Sequence, residues 1–97
     1  MLTGTQTRYL RGLAHHLTPI FQIGKGGISE NMLDQIGLAL EARELIKISL
    51  LQNSEWTVKE AAEEIARVTK AEIVQTIGKT ITVYRRSVDH KTIVLPR

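Results

Sequence analysis

No cysteine occurs in this sequence, which excludes disulfides, thiolate metal sites and cysteine nucleophiles together. Long apolar runs are also missing: nothing approaches the roughly 18 residues of a membrane-spanning helix. The first ten residues, "MLTGTQTRYL", lack the apolar core of a signal peptide. A cytoplasmic protein without a membrane partner is therefore expected. Carboxylates are scarce at both ends. Residues 1–27 carry Arg8, Arg11 and Lys25 and no acid, and residues 77–97 carry five basic residues against Asp89 alone. The middle, 28–76, carries nine acids against five bases. The net charge of +3 thus hides a polarity that would steer polyanions to one face if the ends meet in space.

What is present describes one folded domain over residues 1–97. Hydrophobic residues make up 42% and charged ones 24%, globular values that argue against disorder. Thr3 and Gln6 have capping-box spacing and open a helix to about His16. Its inward stripe is Leu10, Leu13, Ala14 and Leu17, while Arg8, Arg11 and His15 share another face. Gly12 inside this helix costs about 1 kcal/mol relative to alanine, which hints at close packing or close backbone approach. A short strand runs from Ile20 to Ile23. Ser29 caps a second helix to about Ala42, with Ile28 and Leu33 as a hydrophobic staple and Leu33, Ile36 and Leu40 facing inward. Residues 45–51 form a strand with Ile46, Ile48 and Leu50 on one face. Thr57 and Glu60 open a third helix, with Val58, Ala61, Ala62 and Ile65 inward. Strands 72–77 and 80–86 follow, joined by Gly78-Lys79 in a type II′ hairpin. The tail after Ser87 is polar until "TIVLP", a stretch that packs on the body or adds an edge. The order α-β-α-β-α-β-β gives an α/β fold: a mixed four-stranded sheet packed with three helices.

The distinctive stretch is Gly24-Lys25-Gly26-Gly27, at the junction of the first strand and the second helix. Unpaired N–H groups and the helix dipole favour an anion there. Glycines let a phosphate chain approach the main chain closely, and Lys25 adds one mobile cation. A tight turn is the competing explanation. Neither nucleotide fingerprint is complete: Gly78-Lys79-Thr80 has Ile73 where a P-loop needs its first glycine, and G-x-G-x-x-G fails at Ser29. The G-x-x-G spacing matches the backbone clamp of KH modules, although in those folds it joins two helices.

The stretches "RYLRGLAHHL", "PIFQIGKGGIS", "ALEARELIKISLL" and "IGKTITVYRRS" resemble, in the same order and over nearly the whole chain, the CRM domain family. The name stands for chloroplast RNA splicing and ribosome maturation, and its bacterial members are short stand-alone proteins of the YhbY type. The resemblance implies a fold similar to the C-terminal domain of the third bacterial translation initiation factor. It implies association with ribosomal RNA or a large-subunit precursor, so that a cytoplasmic, non-catalytic RNA-binding protein is expected. The family's proposed RNA contacts map onto Gly24, Lys25, Gly26 and Gly27, and the basic segments onto Arg8, Arg11, Arg85 and Arg86. These are expected to form a single basic face.

The remaining residues add little chemistry. Tyr9, Phe21, Trp56 and Tyr84 are the only aromatics, too few for a platform of stacked bases; Trp56 and Tyr84 suit packing. His15 and His16 are adjacent and about 100° apart on a helix, unable to share one metal. Glu60, Glu63 and Glu64 lie opposite the third helix's apolar stripe, as a solvated face. No catalytic set, cofactor site, metal site or small-molecule substrate is expected. The alternatives left open are a nucleotide-binding enzyme or sensor using the glycine loop, and a protein-interaction module using the acidic helix faces. A preference for DNA over RNA is a further one.

Overall fold

The computed structural model describes all residues, Met1–Arg97. Its elements run α1 (Gly4–Ala14), β1 (Pro19–Ile23), α2 (Glu30–Arg43), β2 (Leu45–Leu50), α3 (Val58–Thr69), β3 (Glu72–Ile77) and β4 (Thr80–Tyr84). The helices start where local chemistry dictates. Thr3 and Thr57 each accept from the N3 backbone N–H while Gln6 and Glu60 reach back to the cap N–H, so two orphan donors are satisfied at each start. Ser29 Oγ accepts from the Met32 N–H at 3.1 Å.

The sheet order is β1-β2-β4-β3. β1 pairs parallel to β2 across the α2 crossover, and β4 pairs antiparallel to both β2 and β3. At the hairpin, Gly78 has φ +56° and Lys79 is not on the positive side, as a type II′ loop needs. Alternation along β2 and β4 sends Ile46, Ile48, Leu50, Ile81 and Val83 into the main core beneath α2 and α3. Leu45 and Tyr84 point the other way, into a smaller cluster with Leu10 and Ala14 of α1. Two helices therefore cover one face, and α1 covers only the Leu45–Tyr84 end of the other.

Several expected boundaries shift. α1 stops at Ala14, so Leu17 leaves the inward stripe and is exposed. β2 ends at Leu50: Leu51 N–H donates to Ile23 O at 2.9 Å as the last rung of the pairing with β1. The chain then turns, closed by Ser54 N–H on Leu51 O at 3.0 Å. β4 ends at Tyr84: Arg85 N–H still donates to Glu44 O at 2.9 Å, but Glu44 caps α2 at φ +68°. Its own N–H is turned to Leu40 O at 2.8 Å, so the ladder goes no further. The tail forms no strand; its Ile93 and Leu95 pack against the α1 cluster.

The tail is held by two carboxylates near the end of α2. Glu44, fully buried, accepts from the N–H groups of Ser87, Thr92 and Ile93 at 2.8–2.9 Å. Burial pushes its pKa up, but these N–H groups outweigh burial and hold it below the usual carboxylate value. Glu41 accepts from the Val88 and Asp89 N–H groups and the Ser87 hydroxyl. Those bonds, Val88 first, lower its pKa to about 2.

Candidate nucleic-acid interface

Residues 24–27 form a β-turn at the end of β1, closed by Gly27 N–H donating to Gly24 O at 3.0 Å. The three glycines are not equivalent. Gly27 has φ +73°, and a Cβ there would collide with the indole of Trp56. The fold itself requires that glycine. At Gly24 a Cβ would meet only Leu51 Cδ1, at an ordinary 3.6 Å. At Gly26 it would meet nothing within 4 Å, and φ is not positive. Neither strain nor packing explains Gly26, which stands exposed beside exposed Lys25. Trp56 is half-buried against the main core, in the packing role its place before α3 suggested.

The turn leads into the start of α2, whose dipole favours an anion; Glu30 in the first turn opposes one. The hairpin tip lies at the same end of the sheet, since Leu50 N–H donates to Lys79 O at 2.7 Å. Lys79 therefore joins Lys25 at this end, a neighbour that the sequence pattern did not single out.

The single basic face is not what the topology builds. β1 and β2 run toward the glycine turn, whereas β4 runs away from it and delivers Arg85 and Arg86 to the far end. The six residues of β2, Leu45 to Leu50, make five steps and separate the two ends by about 17 Å at 3.3–3.4 Å per residue. The Arg85 guanidinium is moreover occupied: it donates to Thr69 O at 2.7 Å and Gly37 O at 2.9 Å, tying the end of α3 to α2. Arg86 is exposed and lines a recess with Gln6 and the tail. Arg8 and Arg11 are exposed on α1. A Cβ at Gly12, which follows Arg11 directly, would meet nothing within 4 Å, so packing does not explain that glycine either. α1 and Arg86 thus make one basic region, and the glycine turn with Lys79 makes another.

Of the remaining polar groups, Glu64 pairs with Arg67 at 2.8 Å and Glu60 serves the α3 cap, which lowers its pKa. His15 and His16 are exposed, and His90 lies 3.6 Å from Glu41. No group of three His, Cys, Asp or Glu side chains is placed to hold a metal ion. No helix is long and apolar enough to cross a membrane.

Comparison with known proteins gives consistent results. The CRS1/YhbY (CRM) domain matches residues 2–85. "Probable RNA-binding protein YqeI" of Bacillus subtilis is 56% identical over 96 residues, covering 99% of this chain and all of the relative. An "RNA-binding protein" of Haemophilus influenzae is 42% identical over 96 residues, covering 99% of this chain and 96% of the relative. Among solved structures, a hypothetical Staphylococcus aureus protein proposed to bind RNA superposes with TM-score 0.81 at 57% identity, over 99% of this chain and 100% of that one.

Proposed function

The chain belongs to the CRS1/YhbY (CRM) domain family, and from that premise we propose that it is a non-catalytic RNA-binding protein acting on structured ribosomal RNA during assembly of the large ribosomal subunit. RNA binding has its support in the relatives, whose names carry it. The observation that carries the site is Gly26: a residue without a side chain where the fold would accept one, beside an exposed lysine and ahead of a helix start. A sugar–phosphate backbone needs that room, together with N–H donors facing it. Gly24, Lys25, Gly26 and Gly27 then form the backbone-directed contact, Gly27 chiefly by shaping the turn. Arg8, Arg11 and Arg86 supply guanidinium contacts to phosphates. Arg85 has its structural partners already and is the weakest member of the set.

No recess in the molecule is lined by residues 24–27. An exposed turn suits an extended polyanion better than an enclosed mononucleotide. The mechanism is positional: phosphate contacts fix the protein on the RNA, with shape and 2′-hydroxyls supplying discrimination. With about four to six phosphate contacts, log affinity for ribosomal RNA falls against log salt with a slope of roughly −3 to −5. A salt titration of binding tests this, and a slope near zero would remove the electrostatic basis of the proposal.

A further inference from the structure

The half of the sheet that α1 leaves bare carries an arrangement of its own. Strand alternation turns Lys47 and Ser49 of β2 away from the main core, toward the side where α1 packs. Their cross-strand partners are Thr82 and Thr80 of β4, and Gln75 of β3 pairs with Thr82 in turn. Half-buried Lys47, Gln75 and Thr80 and exposed Ile77 line a shallow recess of about 160 Å³ on this face, with buried Thr82 at its floor. No carboxylate and no aromatic ring is among them. α1, with exposed Arg8 and Arg11, bounds the face at one end; Lys79 and the glycine turn with Lys25 bound it at the other. Lys47 sits between, two residues from Leu45 under α1 and three from Leu50 beside the hairpin tip.

We infer that this open face is a second contact surface for RNA, one that takes the sugar–phosphate backbone of a base-paired stem lying between α1 and the glycine turn, with Lys47 at its centre. The inference rests on the RNA-binding reading above and supplies what the topology withheld: a continuous path between the two basic regions. Charge decides for a polyanion, because the recess presents a cation without an opposing acid. The lining decides for a stem over a single strand. Splayed bases need aromatic or guanidinium planes to stack on, whereas hydroxyl, amide and ammonium groups suit phosphates and 2′-hydroxyls. Ile77, 65% exposed, is the one apolar side chain in the lining, too little for an apolar partner.

The test measures fluorescence anisotropy of a labelled RNA stem-loop and of a labelled oligouridylate of equal length, each titrated with wild type, Lys47→Gln and Lys79→Ala across a salt series. Expected are tighter binding of the stem-loop than of the oligouridylate, and a loss of about three- to tenfold in stem-loop affinity for each variant. The salt slope should flatten by roughly one contact's worth in each. Both sites lie outside the hydrophobic core, and circular dichroism verifies each fold. Wild-type affinity and slope in Lys47→Gln would overturn the inference, and a loss in Lys79→Ala alone would then leave only the loop-centred function standing. Equal or tighter binding of the oligouridylate would overturn the assignment to base-paired RNA. No binding of either RNA by wild type would overturn the function itself, and this surface with it.

Discussion

Glu44→Ala is expected to lower stability by roughly 3 kcal/mol, read from urea unfolding at neutral pH. A single buried carboxylate accepts three backbone N–H bonds and a longer one from the Thr92 hydroxyl at 3.2 Å. Each charge-assisted bond contributes about 1.5–3 kcal/mol when its loss strands a buried partner; the tail's ability to detach and find water reduces the total. Glu44 also holds φ +68° and ψ −39°, a conformation costing about 1–3 kcal/mol in a non-glycine residue. Alanine would keep that strain without the bonds that offset it. Glu44→Gln, retaining one acceptor oxygen, should fall between. An alanine variant within about 1 kcal/mol of wild type would show that the carboxylate does not hold the tail. The same bonds fix a pH dependence. Because the folded pKa values of Glu44 and Glu41 lie below the ordinary carboxylate value of 4.5, their contribution is complete above that value. It fades as pH falls through the folded pKa values, for Glu41 about 2. Wild type should therefore lose stability between about pH 4.5 and pH 2, with a smaller loss in Glu44→Gln.

Gly27→Ala should cost roughly 2–4 kcal/mol, and Gly26→Ala close to nothing. At Gly27 a Cβ enters the left-handed region, costing about 1–2 kcal/mol, and strikes the Trp56 indole, which packs on the main core. Overpacking adds about 1–3 kcal/mol. At Gly26 the space is open and φ is not positive, so alanine is neutral or slightly stabilising through the unfolded chain. Thermal unfolding of the two variants side by side checks this. Equal losses would mean that Gly26 is also required by the fold, and its use as evidence of a ligand would fall.

The helix starts were legible in the sequence because a cap and its partner three residues away are local. The periodic stripes of α2 and α3 were legible for the same reason. Leu51 and Arg85 were misplaced because both continue a strand-like run, and what ends each strand is not in that run. It is the turn that Ser54 N–H closes on Leu51 O, and the α2 cap Glu44 opposite Arg85, whose N–H goes to Leu40 O. The glycine turn was recognisable as an anion-favouring junction. Dividing its glycines into one the fold demands and one it does not required Trp56, twenty-nine residues away in sequence. Lys47 was readable as facing away from Ile46 and Ile48; that this face is bare depends on where α1 lies. Glu41 and Glu44 carried no signal, since their partners are 43–49 residues distant in a tail without periodicity. The expected joining of Arg85 to the turn failed because charge along a chain does not say which end of a sheet a strand reaches.

The central claim is that the turn's missing side chains make room for RNA backbone. Its most direct test is binding of structured large-subunit ribosomal RNA by wild type and by the double variant Lys25→Asp, Gly26→Asp, after circular dichroism shows that the variant is folded. The account predicts saturable, salt-sensitive binding by wild type and a loss of at least about tenfold in the variant, or roughly 1.4 kcal/mol. Equal affinity of the two proteins would contradict it: the turn would then only connect β1 to α2, and the arginines of α1 would have to hold the RNA without it.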